Sequence, residues 1–320
     1  MMNWTKLGKI FDPTEHQLHN NCKQFAQSPQ VLVLDKCVRI YFTTREVEPT
    51  GKYLGHVAFV DFDFDFKNIL NISSETVIPL GGLGAFDQHG MFPMNVLKHN
   101  EIIYGFTSGL SRRKSVSLET SIGLALSENN GLTFEKYKKG PIVSSSLHEP
   151  FLVCDAFVQH YENQFHMWYI YGVKWIKGAE VDGTESRVYK IAHATSGNAI
   201  DWVRNSELII PDKIGDDECQ ALPTVIKIDN RYHMYFCYRH ATGFRNETGR
   251  GYKLGYAYSD DLINWTRNDE KSGIELGESG WDSEMMCYPH IFQVQDQVFM
   301  LYNGNEFGKF GFGLAVLEKN

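Results

Sequence analysis

Nowhere does the chain carry about 18 consecutive apolar residues, so no membrane-spanning helix is expected. The opening MMNWTKLGKIFDP has neither an apolar core nor a small-residue cleavage site, which argues against an export signal. Basic residues are in deficit. Lys and Arg total 31 against 39 Asp and Glu, leaving a formal charge of −8. Nucleic-acid binding needs a basic face, so that partner class is not expected. The cysteines (Cys22, Cys37, Cys154, Cys219, Cys237, Cys287) form no C-x-x-C pair. Free thiols in a cytoplasmic protein are expected rather than disulfides. Phosphate-cradling Gly-rich loops, HExxH, GxSxG and Cys/His zinc spacings are all missing. His16 and His19 lie near Cys22, but at a spacing that argues weakly for a metal. Proline is scarce too: 10 against 16 Tyr and 21 Phe, a balance that favours strands.

What is present is a repeat. A strand, a polar turn and a second strand recur from Pro29, Pro93, Ala156, Pro223 and Pro289, at spacings of 64, 63, 67 and 66 residues. The fourth copy reads DDECQALPTVIKIDNRYHMYFCYR, from Asp216 to Arg239. A third strand follows each time: LGHVAFV, IGLALS, KIAHATS, LGYAYS and FGLAVL. Its Gly and Ala residues suit close packing. In three copies a Ser-led polar turn then precedes an aromatic, namely Phe134, Trp202 and Trp265. Five units of four strands describe a five-bladed β-propeller, all-β, over residues 1–320 as one domain. The fifth unit ends after its third strand, and the N-terminal WTKLGKIF fits its missing fourth. Closure of that kind removes open sheet edges. An irregular β-sandwich is the alternative.

In such a ring the residues just before each first strand crowd one mouth of the central channel. Acids recur there: Asp87 beside Gln88 and His89, Glu149 and Asp155, Glu218, then Asp282 and Glu284. Blade 1 has Gln24, Gln27 and Ser28 instead. Like charges brought together raise one another's pKa, an arrangement suited to glycoside hydrolysis or to a cation between them. Capping of backbone N–H groups, or pairing with Arg, would explain the same acids without chemistry. The second strands end in Arg45, Lys174 with Trp175, Arg239, and Asn303 with Asn305, and blade 2 adds Arg112 and Arg113. Trp175 or Tyr288 would stack on a sugar face. For each Arg a salt bridge, and for His89 a structural hydrogen bond, is the alternative.

The architecture, with KLGKIF, FDQHG, DECQALP, GYAYSDDLINW, WDSEM and YNGNEFGKFGFG, resembles the five-bladed propeller superfamily of glycoside hydrolases, families 43 and 32 in particular. The resemblance spans essentially the whole chain. It implies a base directly before the first strand of blade 1, where this chain has Ser28. It implies that Asp155, in VCDAFV, orients and tunes the acid, and that Glu218 is the nearest counterpart of that general acid. Glu218-Cys219 is similar to the Glu-Cys pair of family 32. The base or nucleophile would then come from Asp87 or Glu284. Arg45, His89, Trp175, Arg239 and Tyr288 are the expected substrate-binding residues, and a carbohydrate or glycoside is the expected partner.

Three functions follow from different classes. A glycoside hydrolase would use the channel carboxylates. A phosphorolytic or transfer enzyme on glycosides would hold phosphate with Arg45, Arg239, Arg112, Arg113 and His89, since Arg forks match its geometry. A non-catalytic sugar-binding propeller would need neither. No cofactor is expected, although a structural Ca²⁺ on the axis is compatible with all three.

Overall fold

The alternating strand pattern and the polar turns resolve into five four-stranded antiparallel sheets arranged as a five-bladed β-propeller. The structure is a computed structural model and describes residues 2–178 and 185–319. Blade 1 is β2 (Gln27–Val33), β3 (Val38–Val47), β4 (Tyr53–Phe62) and β5 (Ile69–Ile72). Blade 2 is β6 (Met91–His99), β7 (Ile102–Arg112), β8 (Leu118–Ser127) and β9 (Glu135–Lys136). Blade 3 is β10 (Val153–Tyr161), β11 (Gln164–Ile176), β12 (Ser186–Ser196) and β13 (Val203–Arg204). Blade 4 is β14 (Glu218–Ile228), β15 (Arg231–His240), β16 (Lys253–Ser259) and β17 (Thr266–Arg267). Blade 5 is β18 (Cys287–Val294), β19 (Gln297–Asn303) and β20 (Phe312–Leu317), closed on its outer side by β1 (Trp4–Phe11). Among the described residues no helix is long and apolar enough to cross a membrane.

The glycines of the third strands make room for aromatic rings. A Cβ on Gly255 would lie 2.4 Å from the Phe236 ring, and one on Gly313 would lie 2.4 Å from the Trp281 ring. Aromatic residues also seat the outer strands of blades 2 to 5 against the preceding blade. Phe134 meets Tyr41 at 5.8 Å, Trp202 meets Phe106 at 6.2 Å, Trp265 meets Trp168 at 6.2 Å and Trp4 meets Tyr235 at 5.7 Å. All four pairs are edge-on, the arrangement ring quadrupoles favour. Trp4 adds a hydrogen bond from Nε1 to the Tyr235 hydroxyl at 2.8 Å. The N-terminal strand therefore repeats the contact that its counterparts make in blades 2, 3 and 4.

Every innermost strand carries a bulge at the same place. Register shifts fall between Gln27 and Gln30, Met91 and Met94, Cys154 and Phe157, Ala221 and Thr224, and Cys287 and His290. Within four of them Ser28, Asp155, Leu222 and Tyr288 adopt φ of 51°, 56°, 48° and 56°. Left-handed backbone is unusual for such side chains and has to be held by its surroundings. It is held here by the neighbouring blade. Ser28 N–H donates to Asn303 Oδ1 at 2.8 Å, Asp155 N–H to Ser108 Oγ at 2.9 Å, Leu222 N–H to Asp155 Oδ2 at 3.3 Å and Tyr288 N–H to Cys237 Sγ at 3.5 Å. Further along the same inner edges, Val31 N–H donates to His290 Nε2, Val158 N–H to Asn95 Oδ1 and Ile291 N–H to Thr224 Oγ1. Free strand edges thus find partners around the axis.

Candidate active site

Four of the recurrent acids turn to a cation of their own blade. A buried carboxylate needs a counter-charge, and in four blades that charge comes from the blade's own outer strand. Asp87 Oδ2 lies 2.5 Å from Lys136 Nζ, Glu149 Oε2 lies 2.6 Å from Arg204 Nη1, Glu218 Oε1 lies 2.6 Å from Arg267 Nη1, and Asp282 Oδ2 lies 2.7 Å from Lys6 Nζ. Each cation stands two residues after the aromatic that seats its strand: Phe134-Glu-Lys136, Trp202-Val-Arg204, Trp265-Thr-Arg267 and Trp4-Thr-Lys6. Blade 1 lacks the acid before its inner strand, and its outer strand reads ILNI, without the aromatic or the cation. Glu218 is also held by N–H groups of Lys213 and Ile214 at 2.8 and 3.1 Å. Glu284 is exposed, and its backbone N–H donates to Asn305 Oδ1. Asp87, Asp155, Glu218 and Glu284 therefore do not converge on one pocket.

Asp155 is the acid on the axis. It is 3% exposed, and burial pushes its carboxyl up to about 7, against the opposing pulls of Cys154, the Leu222 N–H and Arg187. Its Oδ2 caps the blade 4 bulge.

Around the axis all five blades contribute to an open cavity of about 650 Å³. Arg45, His89, Arg239 and Tyr288 line it, whereas Trp175 does not and lies half-buried beside Arg187. The expected binding residues are thus largely brought together. The cavity also contains Arg187, Tyr189, Phe244, Arg245, Tyr252, Glu306, Phe307 and Lys309, which sequence reasoning missed. No spacing marks them, because they come from third strands and from loops whose approach only the ring closure sets. Glu306 and Phe307 have φ of 55° and 57°, so two non-glycine residues in left-handed backbone stand on the rim.

The floor is a connected polar–aromatic set. The Tyr189 and Tyr252 hydroxyls lie 2.6 Å apart, and Arg239 Nη2 donates to Tyr189 at 2.9 Å. The Arg239 guanidinium lies 3.5 Å from the Phe244 ring centre. Tyr252 packs on Tyr288 at 5.6 Å, and Tyr288 on Phe92 at 5.4 Å. Across the cavity the Arg45 guanidinium lies 4.1 Å from the Phe25 ring, with Nε on Gln27 Oε1 at 3.0 Å.

An axial Ca²⁺ does not fit these residues. The ring of bulge positions offers a single carboxylate, Asp155, and among the described residues no group of three or more His, Cys, Asp or Glu is placed to hold a metal. Ca²⁺ takes about six to eight oxygen ligands.

No protein-family model matches the chain. Two uncharacterized proteins of Mycobacterium tuberculosis are each 29% identical over 317 residues, covering 99% of this chain and 100% of theirs. Among solved structures, a glycoside hydrolase superposes with a TM-score of 0.74 at 14% identity, over 98% of this chain and 92% of that one. An endo-arabinase from Bacteroides thetaiotaomicron gives 0.63 at 10% identity over 98% of both chains. A protein described with the family 130 mannoside phosphorylases and the hydrolases among them gives 0.65 at 11% identity, over 92% of this chain and 84% of that one. These likenesses show the shared five-bladed fold.

Proposed function

We propose that the protein is a glycan-active enzyme working in the axial cavity. The observation that carries this reading is the cavity itself, where all five blades bring aromatic rings and polar groups to one opening of about 650 Å³. Aromatic faces such as Phe25, Tyr53 and Phe307 suit the CH surfaces of sugars, and the surrounding donors suit their hydroxyls. The fold shared with glycoside hydrolases supports the same reading.

Glu306 is the carboxylate among the cavity's described lining residues and is assigned the proton transfer at the glycosidic oxygen. Asp155 is a positioning residue. It acts electrostatically through Arg187 and Tyr288, both on the cavity wall. Two-carboxylate hydrolysis needs a second acid facing the substrate. A transfer in which an anionic acceptor replaces activated water needs only one, and Glu306, the one carboxylate among the described lining residues, favours that second reading.

The test is product analysis by mass spectrometry on a panel of glycosides, with and without added phosphate. Glu306→Gln is expected to lower kcat by about a hundredfold or more with KM little changed, the range for a lost general acid. Full turnover by that variant would end the assignment, and no cleavage or transfer of any glycoside would end the enzyme reading.

A further inference from the structure

Cations dominate the axial cavity of an otherwise acidic protein. Among its described lining residues Arg45, Arg187, Arg239 and Lys309 stand with the carboxylate Glu306, while the whole chain carries −8. Glu306 is taken by Lys309 at 2.8 Å. Arg45 and Arg239 have neutral partners. Arg45 bonds Gln27, and Arg239 bonds the Tyr189 hydroxyl and the carbonyls of His240 and Ala241. Arg239 is 4% exposed, and its Nε has no hydrogen-bond partner. Burial works against the charge on Arg45. Arg187 forms a cation–π contact with Trp175 and interacts electrostatically with the buried Asp155 without forming an ion pair among the described residues.

Desolvated guanidinium groups without carboxylates are costly. The same chain neutralises its other buried charges carefully, as the four acid–cation pairs of the blades show. Among the described residues, such a departure from the chain's own rule marks a functional site. Guanidinium forks match a tetrahedral oxyanion through paired N–H donors. Three of them favour a dianion over a single carboxylate.

We propose that Arg45, Arg187 and Arg239 form a subsite for a phosphate-type dianion, present either as free phosphate or as a phosphoryl group on the glycoside. This rests on the reading that the axial cavity is the glycan site, and it names the charge that the ligand or co-substrate carries there. The room beyond the arginines, walled by Phe25, Tyr53 and Phe307, takes the sugar.

The experiment is isothermal titration at pH 7.5 and fixed ionic strength. The probes are inorganic phosphate, glucose 1-phosphate, glucuronate and methyl glucoside, against the intact protein and its Arg45→Gln and Arg187→Gln variants. At least one phosphate probe is expected to bind about tenfold or more tightly than glucuronate, and each variant to lose about tenfold, the loss expected for a charge-assisted hydrogen bond. Binding of inorganic phosphate identifies the free ion as the source; binding of glucose 1-phosphate alone identifies a sugar phosphate. Either supports the subsite. Equal affinity for phosphate and glucuronate, or unchanged phosphate binding in both variants, overturns it. Turnover of neutral glycosides with no phosphate probe bound overturns the subsite and leaves the glycan reading standing. Phosphate binding that no glycoside perturbs upholds the subsite and removes the glycan reading.

Discussion

Arg267 Nη1 lies 2.6 Å from Glu218 Oε1, and the pair ties the innermost strand of blade 4 to its outermost one. Both groups are almost wholly removed from water. Removing one partner leaves the other buried and uncompensated. Arg267→Ala is therefore expected to destabilise the fold by about 3–5 kcal/mol. Chemical denaturation measures this, with affinity at the axial cavity as the control. An unchanged midpoint would show that the pair holds nothing together.

Asp155 makes stability depend on pH in an unusual direction. Its folded pKa, about 7, lies above the usual carboxyl value of 3.8, so the native state keeps a proton that the unfolded chain releases. Stability from this group is complete below about pH 4 and falls as pH rises towards 7, by a few kcal/mol in all at about 1.4 kcal/mol per unit. Asp155→Asn keeps an acceptor for the Leu222 N–H and removes the titration. The variant is expected to match the parent below about pH 4 and to exceed its stability at pH 8. A gap independent of pH would contradict the assignment.

His290 works the other way. Its Nε2 accepts the Val31 N–H at 3.1 Å, which requires the neutral ring, and burial lowers its pKa from 6.5 to about 3. The unfolded chain takes up a proton that the native ring refuses. Stability is complete above about pH 6.5 and is lost as pH falls towards 3. His290→Gln is expected to lower stability at pH 7 and to flatten its decline below pH 6. Equal acid sensitivity of the two proteins would count against this.

Ring closure rests on Trp4, which packs on Tyr235 and bonds its hydroxyl. Trp4→Ala is expected to cost about 3–5 kcal/mol, the usual range for a large buried aromatic. Trp4→Phe should recover most of the packing and lose about 1 kcal/mol for the hydrogen bond. Thermal melts of the two variants separate the contributions. A parent-like melt for Trp4→Ala would mean that blade 5 closes without its N-terminal strand.

Much of the fold was legible because a repeat announces itself. The spacing of the inner strands and the leftover WTKLGKIF predict five blades and their closure. The aromatic-x-cation pattern was legible too, in FEK, WVR, WTR and WTK, and went unread. Recognising it would have paired Glu218, Glu149, Asp87 and Asp282 with cations in advance. Blade 1, which lacks both halves of the device, would have served as the control.

Sequence alone determined the strand order and the blade count, since both follow from a repeat of about 65 residues. Tertiary structure decided which way each charge faces. An acid before an inner strand has two destinations, the channel or its own outer strand. For Asp87, Glu149, Glu218 and Asp282 burial selects the second, because a desolvated carboxylate is stabilised by a counter-charge, whereas Asp155 stays on the axis with a raised pKa. The axial cavity is equally a product of closure. Arg45, Arg187 and Arg239 are far apart in sequence and meet because the five blades converge.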